Sequence, residues 1–125
     1  MRRLLGVIAV LGVAALLSGA TAAGAQPRFQ GYVGGAVTGK GHHFVVGDGL
    51  EIVFRDRRHA GTAYRVCWNG PSHDRQCWNR RTGARGQISR IGTDAPNKHV
   101  GQYNVTWIVN DHVAARWWFR NGIGD

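Results

Sequence analysis

Four stretches of this chain alternate apolar and polar side chains with a period of two, and the segments between them sustain no period of 3.6. Leu50, Ile52 and Phe54 alternate with Glu51, Val53 and Arg55; Tyr64, Val66 and Trp68 with Arg65 and Cys67. Tyr103, Val105, Trp107 and Val109 alternate with Asn104, Thr106 and Ile108; Val113, Ala115, Trp117 and Phe119 with Ala114, Arg116, Trp118 and Arg120. Successive strand side chains leave opposite faces, so this pattern buries one face of a sheet and wets the other. A weaker stretch runs from Gln87 to Ile91, and Asn69-Gly70-Pro71-Ser72, Thr82-Gly83-Ala84 and Asp94-Ala95-Pro96-Asn97 read as turns. Several short strands separated by turns predict an all-β chain folded as a small antiparallel β-sandwich.

The last two stretches constrain their own pairing. A two-residue turn at Asn110-Asp111 would set Val109 opposite His112 and Val105 opposite Arg116, mixing apolar and charged faces. A three-residue loop, Asn110-Asp111-His112, sets Val109 opposite Val113, Trp107 opposite Ala115, Val105 opposite Trp117 and Tyr103 opposite Phe119, which keeps one face apolar throughout. A one-residue slip inverts every side chain, so the pattern predicts the three-residue loop.

The N-terminus reads as an export signal. Arg2-Arg3 precede the apolar run Leu4 to Leu17, and Ala23-Gly24-Ala25 fits the small-residue site of signal peptidase. The run is shorter than the ~20 residues a membrane span requires. Residues 1–25 are therefore expected to be a signal-peptide helix that is removed, residues 26–44 a Gly-rich N-terminal arm, and residues 45–125 the sandwich domain. The arm carries Gly31, Gly34, Gly35 and Gly39 and is expected to be mobile or an irregular edge, with a short strand around Tyr32-Val33.

Export and an even cysteine count suggest one disulfide, Cys67–Cys77. Setting the two opposite each other closes a hairpin and places Tyr64, Val66, Trp68 and Trp78 on the other face; a bridge between loops or sheets is the alternative. Closing so short a loop is worth roughly 2–3 kcal/mol.

Tyr64-Arg65-Val66-Cys67-Trp68, the cysteine hairpin, Gly101-Gln102-Tyr103-Asn104-Val105-Thr106-Trp107 and Val113 to Phe119 resemble small exported immunoglobulin-like sandwiches of actinobacteria, over residues 45 to 125. The resemblance rests on core and disulfide positions and implies a fold without an activity. The Cys…Trp…Cys spacing of antibody domains is missing.

The formal charge is +9, nearly all of it arginine, since Lys40 and Lys98 are the only lysines. Such a balance suits an anionic polymer, a glycan or a cell-wall component, and it also suits plain solubility. The segment Arg55 to Arg90, with Arg57, Arg58, Arg75, Arg80, Arg81 and Arg85 near turns, reads as a basic rim or an ordinary wet surface. Six histidines, His42, His43, His59, His73, His99 and His112, lack the spacing of a metal site and read as solvent-facing loop residues. Neither a G-x-S-x-G elbow nor a paired-carboxylate motif occurs. The chain is therefore expected to be non-catalytic, without cofactor or metal, secreted or associated with the cell envelope, and to act as a binding module. A secreted enzyme or enzyme inhibitor using sandwich-end loops, and a metal-handling domain, are the alternatives. The candidate binding residues are Trp118, Arg116, Arg120, Asn104 and Thr106 on the polar face of the last hairpin, where an indole flanked by guanidiniums can stack on a sugar or base while the arginines take an anion.

Overall fold

The alternating stretches become strands. The computed structural model describes residues 26–36, 38–96 and 99–122, and the expected signal segment lies outside the described residues. The strands are β1 (Phe29–Gly35), β2 (Gly39–Lys40), β3 (His43–Val45), β4 (Gly49–Asp56), β5 (Ala63–Asn69), β6 (Arg75–Arg81), β7 (Ser89–Asp94), β8 (Gly101–Val109) and β9 (His112–Gly122). A single 3₁₀ turn, Pro71–His73, joins β5 to β6. Sheet A has the order β2-β1-β4-β7 and sheet B the order β3-β9-β8-β5-β6. All neighbours are antiparallel except β3 and β9, which run parallel. The fold is all-β and sandwich-like, with the core between the two sheets.

Cys67 and Cys77 face each other across β5 and β6 and are bonded, as the hairpin argument expected. The last hairpin keeps the expected partners Tyr103–Phe119, Val105–Trp117 and Trp107–Ala115, but its loop differs. Val109 pairs with His112 rather than Val113, so the turn is two residues, Asn110 and Asp111, both at positive φ (50° and 64°). The odd residue has moved out of the loop into a β-bulge at Ala114, between the Ile108–Val113 and Trp107–Ala115 pairs. A two-residue turn with both φ positive matches the twist of the strands, and the bulge then restores the apolar register.

The core joins Val33, Leu50, Ile52, Phe54 and Ile91 of sheet A to Tyr64, Val66, Trp68, Tyr103, Val105, Trp107, Val109 and Phe119 of sheet B. Its rings interlock: Phe54 lies 4.5 Å from Tyr64, Trp68 lies 5.4 Å from Phe119, and Tyr103 stacks on Phe119 at 5.3 Å. In place of an arm, the Gly-rich segment supplies three strands. Seven residues of β1 pair with β4, and Val33 is fully buried. The glycines of β1 mark crowding. A Cβ on Gly31 would lie 2.7 Å from the indole of Trp107, and one on Gly34 would lie 2.8 Å from the backbone of Gly39 in β2.

The end of β4 is held by one buried carboxylate. Asp56 accepts from Arg28 Nε (3.1 Å) and Nη2 (2.9 Å), from Thr62 Oγ1 (2.6 Å), and from the amides of Arg58 (2.9 Å) and His59 (3.3 Å). Arg28 is its strongest partner and holds the carboxyl well below the usual carboxylate range, against the opposing cost of burial. A group depressed in the folded state stabilises fully above its unfolded value of about 3.9 and loses that contribution as pH falls below it. Denaturant melts between pH 5 and pH 2.5 should therefore show falling stability. Asp56→Asn should cost about 2–3 kcal/mol at neutral pH and flatten this acid dependence. A variant that loses stability with acid as steeply as the parent contradicts the assignment.

Candidate functional site

Because Tyr64, Val66, Trp68, Tyr103, Val105, Trp107 and Phe119 of sheet B enter the core, their strand neighbours form its outer face. The pairings arrange that face in rows. One row runs Cys77, Cys67, Thr106, Arg116; the next runs Arg75, Asn69, Asn104, Trp118. On one side lie Asn79, Arg65, Ile108 and Val113, with Arg81 beside Ala63 beyond them; on the other lie Gln102, Arg120 and His43. The five candidate residues thus share one surface in the expected arrangement, with Asn104 opposite Trp118 and Thr106 opposite Arg116. Asn104, Thr106, Arg116 and Trp118, together with Val105 and Trp117, line a shallow concavity of about 370 Å³.

Three further arginines, Arg65, Arg75 and Arg81, belong to this face. All five guanidinium-bearing residues are exposed, and the strand residues of the face include neither Asp nor Glu. The ion pairs among the described residues are Arg28–Asp56, Arg90–Glu51 and His99–Asp74, so none of the five is paired. The outer face of sheet A is different: Lys40, Arg55 and Arg90 share it with Glu51 and Asp94. The arginine-dense segment is therefore not one rim. Arg75 and Arg81 join the sheet B face, whereas Arg57 is tied to the Pro27 carbonyl (2.8 Å) and the Gln30 side chain (3.0 Å).

Sequence reasoning missed the corner where this face meets sheet A. The chain crosses between the sheets from β2 to β3 through Gly41 and His42. The His42 ring lies between two indoles, 4.3 Å from Trp117 and 4.1 Å from Trp118, nearly parallel to both. Its Nδ1 donates to the Trp118 carbonyl at 2.6 Å, and its own carbonyl accepts from the Arg120 amide at 2.7 Å. Trp117 Nε1 donates to the Gly41 carbonyl at 2.9 Å, and Lys40 Nζ lies 5.3 Å from the Trp117 ring. His42 is thus a half-buried wedge rather than a solvent-facing loop residue, because two flanking indoles offer it more contact than water does. It covers part of Trp118, which remains 38% exposed.

The start of β8 carries a polar cluster. Tyr103 donates to the His99 carbonyl (2.8 Å) and approaches Asp74 Oδ2 (3.3 Å), which pairs with His99 Nδ1 at 2.5 Å. Burial, and next the charge of Asp74, push the Tyr103 hydroxyl up from its ordinary value. Among the described residues no three His, Cys, Asp or Glu side chains are grouped to hold a metal ion. No helix among them is long and apolar enough to cross a membrane.

Compared with known proteins, the chain matches no family model and no curated protein sequence.

The indole–imidazole–indole stack predicts energetic coupling. In a double-mutant cycle of His42→Ala and Trp118→Ala, denaturant melts should give a coupling of about 1 kcal/mol. Strictly additive losses would mean that the stack is contact without stabilisation.

Proposed function

We propose that this protein is an exported, non-catalytic immunoglobulin-like module that binds an acidic glycan on the outer face of sheet B. The strand order supports the fold assignment. With β1, β4 and β7 as strands A, B and E, and β5, β6, β8 and β9 as C, C′, F and G, the two sheets follow the arrangement of immunoglobulin domains. Trp68 on the C strand lies in the core, and Tyr103 near the start of the F strand hydrogen-bonds back to the His99 carbonyl, in the manner of the tyrosine corner. The disulfide departs from the antibody pattern, because it joins C to C′ within one sheet instead of B to F between sheets.

The observation that carries the binding reading is five exposed, unpaired arginines on one face against a face of mixed charge on the other side. Guanidinium forks match carboxylate and sulfate groups. Asn69, Asn79, Asn104, Gln102 and Thr106 between them supply donors and acceptors for hydroxyls. Trp118 offers a stacking surface for a sugar ring beside Arg116. A single exposed indole, rather than a series of ring platforms, favours a glycan over single-stranded nucleic acid. The signal segment read from the sequence supports a partner outside the cell.

Titration with heparin checks this. Affinity should fall on the order of 10²–10³-fold between 50 and 200 mM salt. Arg116→Gln should reduce the slope of log affinity on log salt by about one, and Trp118→Ala should weaken binding roughly tenfold. Neutral dextran should not bind. Equal or tighter binding of oligothymidylate, or heparin binding indifferent to both variants, would overturn the reading.

A further inference from the structure

Beyond Trp118, along the strands, the cationic face runs into an open groove of about 810 Å³ between the end of the β5–β6 hairpin and the β8–β9 turn. Arg65, Arg80 and Arg81 line it, with Asn79, Asn110 and Asp111. Two of the guanidiniums are held by backbone carbonyls: Arg81 Nη1 donates to Gly61 at 2.7 Å and Arg80 Nη1 to Asn79 at 3.0 Å. Each of these bonds uses one N–H and leaves the rest of the fork for another acceptor. None of the three arginines is ion-paired, although Asp111 lines the same groove. Arg65 and Arg81 leave the sheet on this face, whereas Arg80, opposite Tyr64, leaves it on the other. Two like charges beside one concavity focus potential there and favour an anionic occupant.

We infer that this groove is a second anion subsite, so that the face grips one acidic glycan chain at two places. The inference rests on the glycan reading above and adds the length of ligand that the face recognises. Counting strand spacings and residue rises from Trp118 to the groove gives a separation of roughly 20 Å. A chain that reaches both places gains the second contact intramolecularly; a shorter one occupies a single place. The row between them, Arg116 with Thr106, lies along the connecting diagonal. The face is therefore built for an extended polymer with repeating carboxylate or sulfate groups, rather than for a single sugar.

Two size-fractionated heparins test this, one too short to span 20 Å and one at least twice that length. The parent should bind the long fraction about 100-fold tighter per chain. R65Q/R81Q should weaken the long fraction far more than the short one and so remove that preference. R58Q/R90Q, which removes the same charge outside the face, should preserve it. D111N retains a side chain that tolerates positive φ and removes the groove's one carboxylate, so it should tighten long-chain binding about two- to fivefold. Thermal melts of each variant report folding independently. If R65Q/R81Q keeps the length preference, or if it loses no more than R58Q/R90Q, the groove is not a subsite even though Trp118 still matters. If the parent binds neither fraction, the glycan reading fails with it.

Discussion

The two sheets depend on one layer of rings. Phe54 of sheet A reaches Tyr64 and Trp107 of sheet B, and within sheet B Trp68, Tyr103 and Phe119 pack on one another. Ring pairs in such geometry contribute about 0.5–1.5 kcal/mol each beyond the area they bury. A chain of this size has little core to spare, so large rings supply the filling. The largest, Trp107, fits only because β1 passes over it as the bare backbone of Gly31. That one close approach settles where β1 lies and therefore where the crossing from sheet A to sheet B begins. His42 then lands in that crossing, between the two indoles.

With the inner faces spent on rings, the outer faces are free to differ, and they do. Sheet A carries charges of both signs, with Arg90 4.0 Å from Glu51. Sheet B carries guanidiniums, amides and hydroxyls around a disulfide and one indole. The disulfide pins β5 to β6 and holds Arg65, Arg75 and Arg81 in register with the last hairpin. Rigid strands are a better platform than loops for such an array, because side-chain spacing is inherited from the ladder rather than chosen at each visit.

Most of this face was legible in alternation. Period two assigned the apolar side of Tyr103 to Phe119, and the polar residues opposite followed without further information. The cysteine pairing placed Arg65 on the far side from Val66 by the same reasoning. Alternation does not say which strands become neighbours, so the juxtaposition of β5 with β8, and with it the full array of arginines, was not readable. It also carries no signal for a residue that leaves the ladder, so a three-residue loop and a two-residue turn with a bulge at Ala114 predict the same pairs from Trp107 back to Tyr103. The glycines of β1 misled for a physical reason: a missing side chain marks either slack or crowding, and only the position of Trp107 tells them apart. His42 was hidden because its contacts come from residues 75 and 76 positions away.

Sheet B ends on β6, whose outer edge has no strand beside it among the described residues. An uncovered edge is an invitation for a second copy to add itself to the ladder. Two molecules meeting antiparallel about Trp78 at the middle of β6 would bring Arg75 of each against Arg81 of the other, and like charges set directly opposite disfavour that pairing. The arginines of the outer face thus also discourage the protein from stacking into fibrils of itself.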